Sequence, residues 1–197
     1  MLKTLSLMTA AITALSPTAQ DPTWTVSPGG SFTAAASVDI KNVTRGWTIS
    51  CQSMDVTGSA ESGANQQGQW LLTFPTVTFT GCTGPGGTYT VTPASDFQWV
   101  FNAEGYDAGT TNGALTYVQL TAEASNGCKT DITAPDGGPG TAAARHANSD
   151  GSLSVNGDTL QATFTNFACS ADTIATGDKF SFSTSLPITP RQTITSP

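Results

Sequence analysis

Large apolar and small polar residues alternate with a period of two along most of the chain. The first half shows it in Trp47-Thr48-Ile49-Ser50-Cys51, Val77-Thr78-Phe79-Thr80, Tyr89-Thr90-Val91-Thr92 and Phe97-Gln98-Trp99-Val100-Phe101. The second half repeats it in Leu153-Ser154-Val155, Leu160-Gln161-Ala162-Thr163-Phe164-Thr165 and Phe180-Ser181-Phe182. Such alternation sends one set of side chains into a core and the other into water, the mark of half-buried antiparallel strands. Threonine fills many polar positions because a β-branched side chain suits the pleat. Turn signals separate the runs, among them Pro28-Gly29-Gly30, Gly84-Pro85-Gly86-Gly87, Asp136-Gly137-Gly138-Pro139-Gly140 and Asp150-Gly151. Asn156-Gly157-Asp158 lies between two apolar runs and reads as a tight hairpin. The prediction is an all-β protein, an antiparallel sandwich or barrel.

The two halves share a pattern around their cysteines. Cys51 is followed by Asp55-Val56-Thr57 and Cys128 by Asp131-Ile132-Thr133. Thr78-Phe79-Thr80 precedes Cys82, and Thr163-Phe164-Thr165 precedes Cys169. This suggests two related β units, about 30–92 and 114–190. Equivalent cysteines of a duplication pair equivalently, which favours Cys51–Cys82 and Cys128–Cys169 among the three connectivities open to four cysteines. The alternative use of four cysteines, a zinc site, lacks any C-x-x-C spacing.

The N-terminus alone breaks the β pattern. Met1-Leu2-Lys3, the apolar run 4–15 and the small residues Ser16-Pro17-Thr18-Ala19-Gln20 have the layout of a secretory signal peptide over 1–20. Residues 21–197 then form the exported domain. No later run approaches the about 20 apolar residues of a membrane span, so no transmembrane segment is expected. A secreted or cell-surface location agrees with an even cysteine count, since disulfides persist in oxidising compartments.

Charge narrows the partners. Only 11% of residues are charged, and the net charge is −7. The basic residues of the mature part, Lys41, Arg45, Lys129, Arg145, Lys179 and Arg191, are scattered along the sequence. They form no stripe able to neutralise phosphates, so nucleic acid is not an expected partner.

Catalytic motifs are sparse. The one histidine, His146, has no G-x-S-x-G elbow beside it and reads as a surface or edge-strand residue. There is no phosphate loop, dinucleotide fingerprint or metalloprotease motif, and no cofactor is expected. Asp150-Gly151 and Asp136-Gly137 lack the spacing of a calcium loop. Glycoside hydrolysis needs only two carboxylates and no motif; Glu61, Glu104, Glu123 and Asp107 are the acids in question. The stretch Asp96-Phe97-Gln98-Trp99 to Glu104-Gly105-Tyr106-Asp107 sets aromatic faces beside carboxylates, a combination that stacks on and hydrogen-bonds to sugars. The competing reading makes Phe97, Trp99 and Phe101 one inward strand face. Trp70, in Gln66-Gln67-Gly68-Gln69-Trp70, is less constrained and is expected to be exposed. Trp70, Trp99, Tyr106 and Asp107 are therefore the candidate ligand-binding residues. Asn42-Val43-Thr44 matches a glycosylation sequon.

One resemblance runs through nearly the whole mature chain. Trp24-Thr25-Val26-Ser27-Pro28-Gly29-Gly30-Ser31-Phe32-Thr33-Ala34, then Cys51, Thr80-Gly81-Cys82-Thr83-Gly84-Pro85, Trp99, Gly105-Tyr106-Asp107, Gly127-Cys128, Cys169 and Gly177-Asp178 follow in that order. The arrangement resembles small secreted four-cysteine β proteins of mycelial actinobacteria. The resemblance implies export and a β fold, and carries no function and no catalytic residues. A looser likeness, to the two-disulfide apoproteins related to neocarzinostatin, fails on length and cysteine spacing. The leading expectation is an exported, non-catalytic β protein of the cell envelope or extracellular space, working through protein or wall contacts. The alternatives are a carbohydrate- or small-ligand-binding module and a carboxylate-dependent secreted hydrolase.

Overall fold

The computed structural model describes residues 22–94 and 96–196, and the expected signal peptide lies outside them. The chain is all-β and its sheets are antiparallel. Four long strands, β2 (Gly30–Asn42), β3 (Trp47–Ala60), β13 (Ser152–Thr165) and β14 (Lys179–Pro187), lie side by side in the order β3-β2-β14-β13. Each contributes its two halves to two different closed circuits. The C-terminal half of β3 pairs with β5 (Leu72–Thr80); β8 (Trp99–Asp107), β9 (Thr110–Val118) and β12 (Gly140–Ala147) then lead to the N-terminal half of β13. The N-terminal half of β3 meets β6 (Cys82–Gly84); β7 (Gly87–Pro93), β10 (Leu120–Ala124) and β11 (Lys129–Thr133) lead to the C-terminal half of β13. Closure of this kind leaves few open edges, among them the stretch Thr76–Thr80 of β5, which pairs with β3 alone, and Thr90–Pro93 of β7, which pairs with β10 alone. A small separate sheet joins β1 (Trp24–Ser27) to β4 (Gly63–Gln66) and β15 (Thr193–Thr195), so the C-terminal tail ends as a paired strand.

The alternation read from the sequence is what fills this structure. On β3 and β12 buried and exposed positions alternate almost without a break. Ile40, Ile49, Leu120, Ile132 and Phe180 fill one circuit; Phe32, Met54, Leu72, Phe101 and Leu153 fill the other; all belong to one continuous core. The segments 30–92 and 114–190 therefore share a core, with β2 of the first against β14 of the second.

Two disulfides staple the circuit built on β6, β7, β10 and β11. Cys51–Cys82 joins β3 to β6, and Cys128–Cys169 ties the entry of β11 to the loop after β13. They have sequence separations of 31 and 41 residues. In the chain-entropy model each contributes about 3–4 kcal/mol.

Three local expectations are corrected. Asn156-Gly157-Asp158 is no hairpin, because it lies inside β13. Gly157 faces Phe182 and Leu160 faces Phe180, so Asp158 and Thr159 oppose Ser181 alone, and the turn signal marks a bulge. A Cβ at position 157 would overlap Ala142, so the glycine permits a close backbone approach. Asn42 of the sequon is fully buried and donates to Asp178 Oδ2 at 2.9 Å, so it cannot carry a glycan in the folded protein. Burial raises the proton affinity of Asp178. Hydrogen bonds from Asn42, the Ala175 N–H and Arg45 outweigh it and hold the carboxyl below its ordinary range.

The third correction is His146. It lies next to the last residue of β12, opposite Thr111 of β9 and Leu153 of β13, and is 0% exposed. Neither ring nitrogen has a hydrogen-bond partner among the described residues. Desolvation pushes its pKa down to about 4, against the attraction of Asp150 and with a smaller push from Arg191. The unfolded chain takes up a proton at this residue near the ordinary pKa of about 6.5, while the native protein resists until about 4. Stability therefore falls as pH drops through that window, by about 3 kcal/mol in total. A His146→Leu variant is expected to lose this part of the slope in urea unfolding followed from pH 7 to pH 4. An unchanged slope would show that another group titrates there.

Candidate functional site

The most developed concave surface lies where β8 and β9 depart from regular pairing. On β8, Ala103 faces Gly113 and Gly105 faces Asn112, so Glu104 is an inserted residue. On β9, Thr116 faces Thr141 and Val118 faces Gly140, so Tyr117 is inserted against β12. In an unbroken pleat Tyr117 would share the inward side of Leu115. The insertion turns its ring outward and lets Val118 enter the core. Its φ of 66° is one that a bulky side chain rarely adopts.

A loop over residues 67–70 lies against this bulged ladder. The Ala103 N–H donates to the Gly68 carbonyl at 2.7 Å. The Trp70 N–H donates to Asn102 Oδ1 at 2.8 Å, and Asn102 Nδ2 donates to Thr116 Oγ1 at 3.1 Å. Asn102 thus ties the loop to both β8 and β9. Glycine is required at 68, since a Cβ there would overlap the Ala103 carbonyl and stand 2.9 Å from Trp24 Nε1. Trp70, with φ of 62°, is the second bulky residue held in the left-handed region.

These constraints bring three rings together. Trp70 and Tyr117 have centroids 5.8 Å apart at 49°, and Phe97 stacks on Tyr117 at 5.7 Å and 8°. Trp70 and Phe97 are each 45% exposed. A cavity of about 590 Å³ opens beside them, lined by Trp70, Tyr117, Asn102, Thr116, Glu104 and Thr141. A second, of about 710 Å³, is lined by Trp24, Asn65, Gln66, Gln67, Gln69 and Glu104. Both include Gln69, Ala103 and Glu104, so the two cavities adjoin, and together they are called the groove below. Another depression, of about 520 Å³ over Thr33, Thr57 and Thr189, offers no exposed aromatic ring.

Trp70 is exposed, as the sequence suggested, and it lines the first of these cavities. Trp99 does not: it is 2% exposed, packed edge-on against Phe182, and offers no surface to a ligand. Trp99 and Phe101 do face inward, whereas Phe97 precedes β8 and leaves their set. Tyr106 and Asp107 lie at the β8–β9 turn, opposite Thr111 and Thr110, and do not line the groove. Of the four acids, Glu104 lines it; Glu61, Glu123 and Asp107 do not. Tyr117, Asn102, Gln67 and Gln69 were not singled out from sequence. The visible signal for Tyr117 was the adjacent pair Tyr117-Val118, which breaks the alternation of β9.

Among the described residues no three His, Cys, Asp or Glu side chains gather to hold a metal ion, and no helix is long and apolar enough to cross a membrane.

Because Asn102 is the strut of the loop, Asn102→Ala is expected to lower stability by about 1 kcal/mol. It is also expected to increase acrylamide quenching of tryptophan fluorescence, which Trp70, the most exposed indole, dominates. An unchanged quenching constant would mean that Trp70 keeps its place without Asn102.

Comparison with protein-family models, with curated proteins and with solved structures gives no match for this chain.

Proposed function

We propose that this is an exported, non-catalytic protein that binds carbohydrate in the Trp70 groove. The observation that carries the reading is the outward display of Trp70 and Tyr117, both held at positive φ, at the mouth of a cavity lined with amides. Aromatic faces offer an apolar platform to the C–H face of a sugar ring. Asn and Gln side chains donate and accept, as sugar hydroxyls do. A mostly formed concavity with a few polar groups is the usual anatomy of a small-ligand site.

Two disulfides fit an oxidising environment, which supports export. The hydrolase reading has less support. Glycoside hydrolysis employs two carboxylates flanking the scissile bond, and the residues lining this groove supply one, Glu104. Of the protein or wall contacts that lead the sequence expectation, this reading takes the wall contacts and makes them specific: the wall or matrix polysaccharide is the ligand.

The test is depletion of the purified, oxidised protein from solution by insoluble polysaccharides and native cell-wall material. Trp70→Ala is expected to weaken retention about tenfold or more, equivalent to about 1.4 kcal/mol. Its melting temperature should stay close to that of the parent, because the ring is half in water. Retention unaffected by Trp70→Ala, or absent on every glycan tried, would end this reading.

A further inference from the structure

The geometry points to an uncharged, unbranched polysaccharide chain as the ligand, running through both cavities from the Trp70 platform past Glu104 to the Gln67 side. This rests on the carbohydrate reading above and adds the class and the path of the ligand.

Length comes first. Either cavity alone is within the roughly 300–1,000 Å³ that encloses a drug-sized molecule; together, at about 590 and 710 Å³, they exceed what a single sugar ring fills. Their linings share Gln69, Ala103 and Glu104, and Glu104 is the residue inserted in β8. A ligand filling both must be extended and must cross that bulge.

Charge comes second. Among the described residues lining the two cavities there is no Lys, Arg or His, and Glu104 is the one carboxylate. A uronic acid or phosphate chain would meet Glu104 and a protein of net charge −7 with nothing to pair it. A polycationic chain would find one carboxylate where several are needed. The remaining polar lining is neutral, amide and hydroxyl: Asn65, Gln66, Gln67 and Thr23 on the far side, Asn102, Thr116, Thr141 and the Tyr117 phenol near the platform, and Gln69 in both cavities. Asn102 is committed to Trp70 and Thr116, and Gln66 donates to the Glu61 carbonyl at 2.7 Å. Gln67 and Gln69, on the loop itself, are the amides positioned to meet a chain. Neutral amides match hydroxyls, which are donor and acceptor at once.

The two ends divide the work. Trp70 and Tyr117 supply the apolar face at one end, and Gln67 supplies hydrogen bonds only at the other. A short oligosaccharide held on the platform never reaches Gln67; a long one does.

The probes are neutral β-linked gluco-, xylo- and manno-oligosaccharides from two to six units, with hexameric glucosamine and oligogalacturonate as charged controls, titrated by calorimetry against the oxidised full protein. Affinity for one neutral series is expected to rise about tenfold or more between dimer and hexamer and to change less than twofold between low and high salt. Gln67→Ala should lose most of that gain for the hexamer and leave the dimer unchanged. Trp70→Ala should weaken both. Equal affinity for dimer and hexamer, with Gln67→Ala silent and Trp70→Ala still damaging, would overturn the extended path and leave the platform. Tighter, salt-sensitive binding of either charged control would overturn the neutral class. Binding indifferent to Trp70→Ala would remove the carbohydrate site itself.

Discussion

In a closed sheet whose strands alternate between core and water, a side chain can change sides only where a residue is inserted. The rest of this structure depends on that constraint. Closure uses most of the ladders of both circuits, so little edge is left in them on which to hang a site. The insertions at Glu104 and Tyr117 supply one. They lie on neighbouring strands, turn one ring and one carboxylate outward, and make the local hollow that the 67–70 loop borders. Similar insertions in β13 have other results: one brings Gly157 against Ala142, and one at Thr163 leaves Phe164 on the outside opposite Asp131.

The loop explains why the groove can be preorganised. It is held by a backbone bond between Ala103 and Gly68 and by Asn102 between Trp70 and Thr116, not by apolar burial of the indole. Trp70 can therefore stay half exposed without being free. The left-handed backbone at Trp70 and Tyr117 is unfavourable on its own for such residues, by about 1–3 kcal/mol each, and persists where surrounding contacts over-determine it. The core also tolerates unpaired polar groups. The indole N–H groups of Trp24 and Trp99 and both nitrogens of His146 lack partners among the described residues. The disulfides offset part of such costs, and the buried Asp178 carboxylate is paired, by buried Asn42 and by the exposed Arg45.

Period two was enough to read the β class and the inward sides of β3 and β12, because those strands keep their register. The cysteine flanks were enough to choose between connectivities. What the sequence concealed is what departs from the period. Nothing in Asn156-Gly157-Asp158 separates a two-residue turn from a bulge; the choice is made by β12 and β14 lying alongside. His146 follows the alternation of β12, but its burial depends on β9 and β13 flanking it, which only topology reveals. Trp99 and Trp70 are alike as residues, and one is core while the other is surface because Trp99 keeps the pleat and Trp70 lies in a loop pinned by a distant asparagine.

The same logic bears on how the site would tolerate change. A groove whose walls are bulged strands and whose rim is a pinned loop separates its structural from its contacting residues. Gly68 and Asn102 set where the rim lies and are fixed by overlap and by bonded partners. Gln67, Gln69 and the outer face of Trp70 carry no such duty in holding the fold. Substitution at the first pair moves the whole rim. Substitution at the second group changes the chemistry the rim presents and leaves the sheet beneath it intact, so the scaffold can keep its register while the groove is altered one side chain at a time.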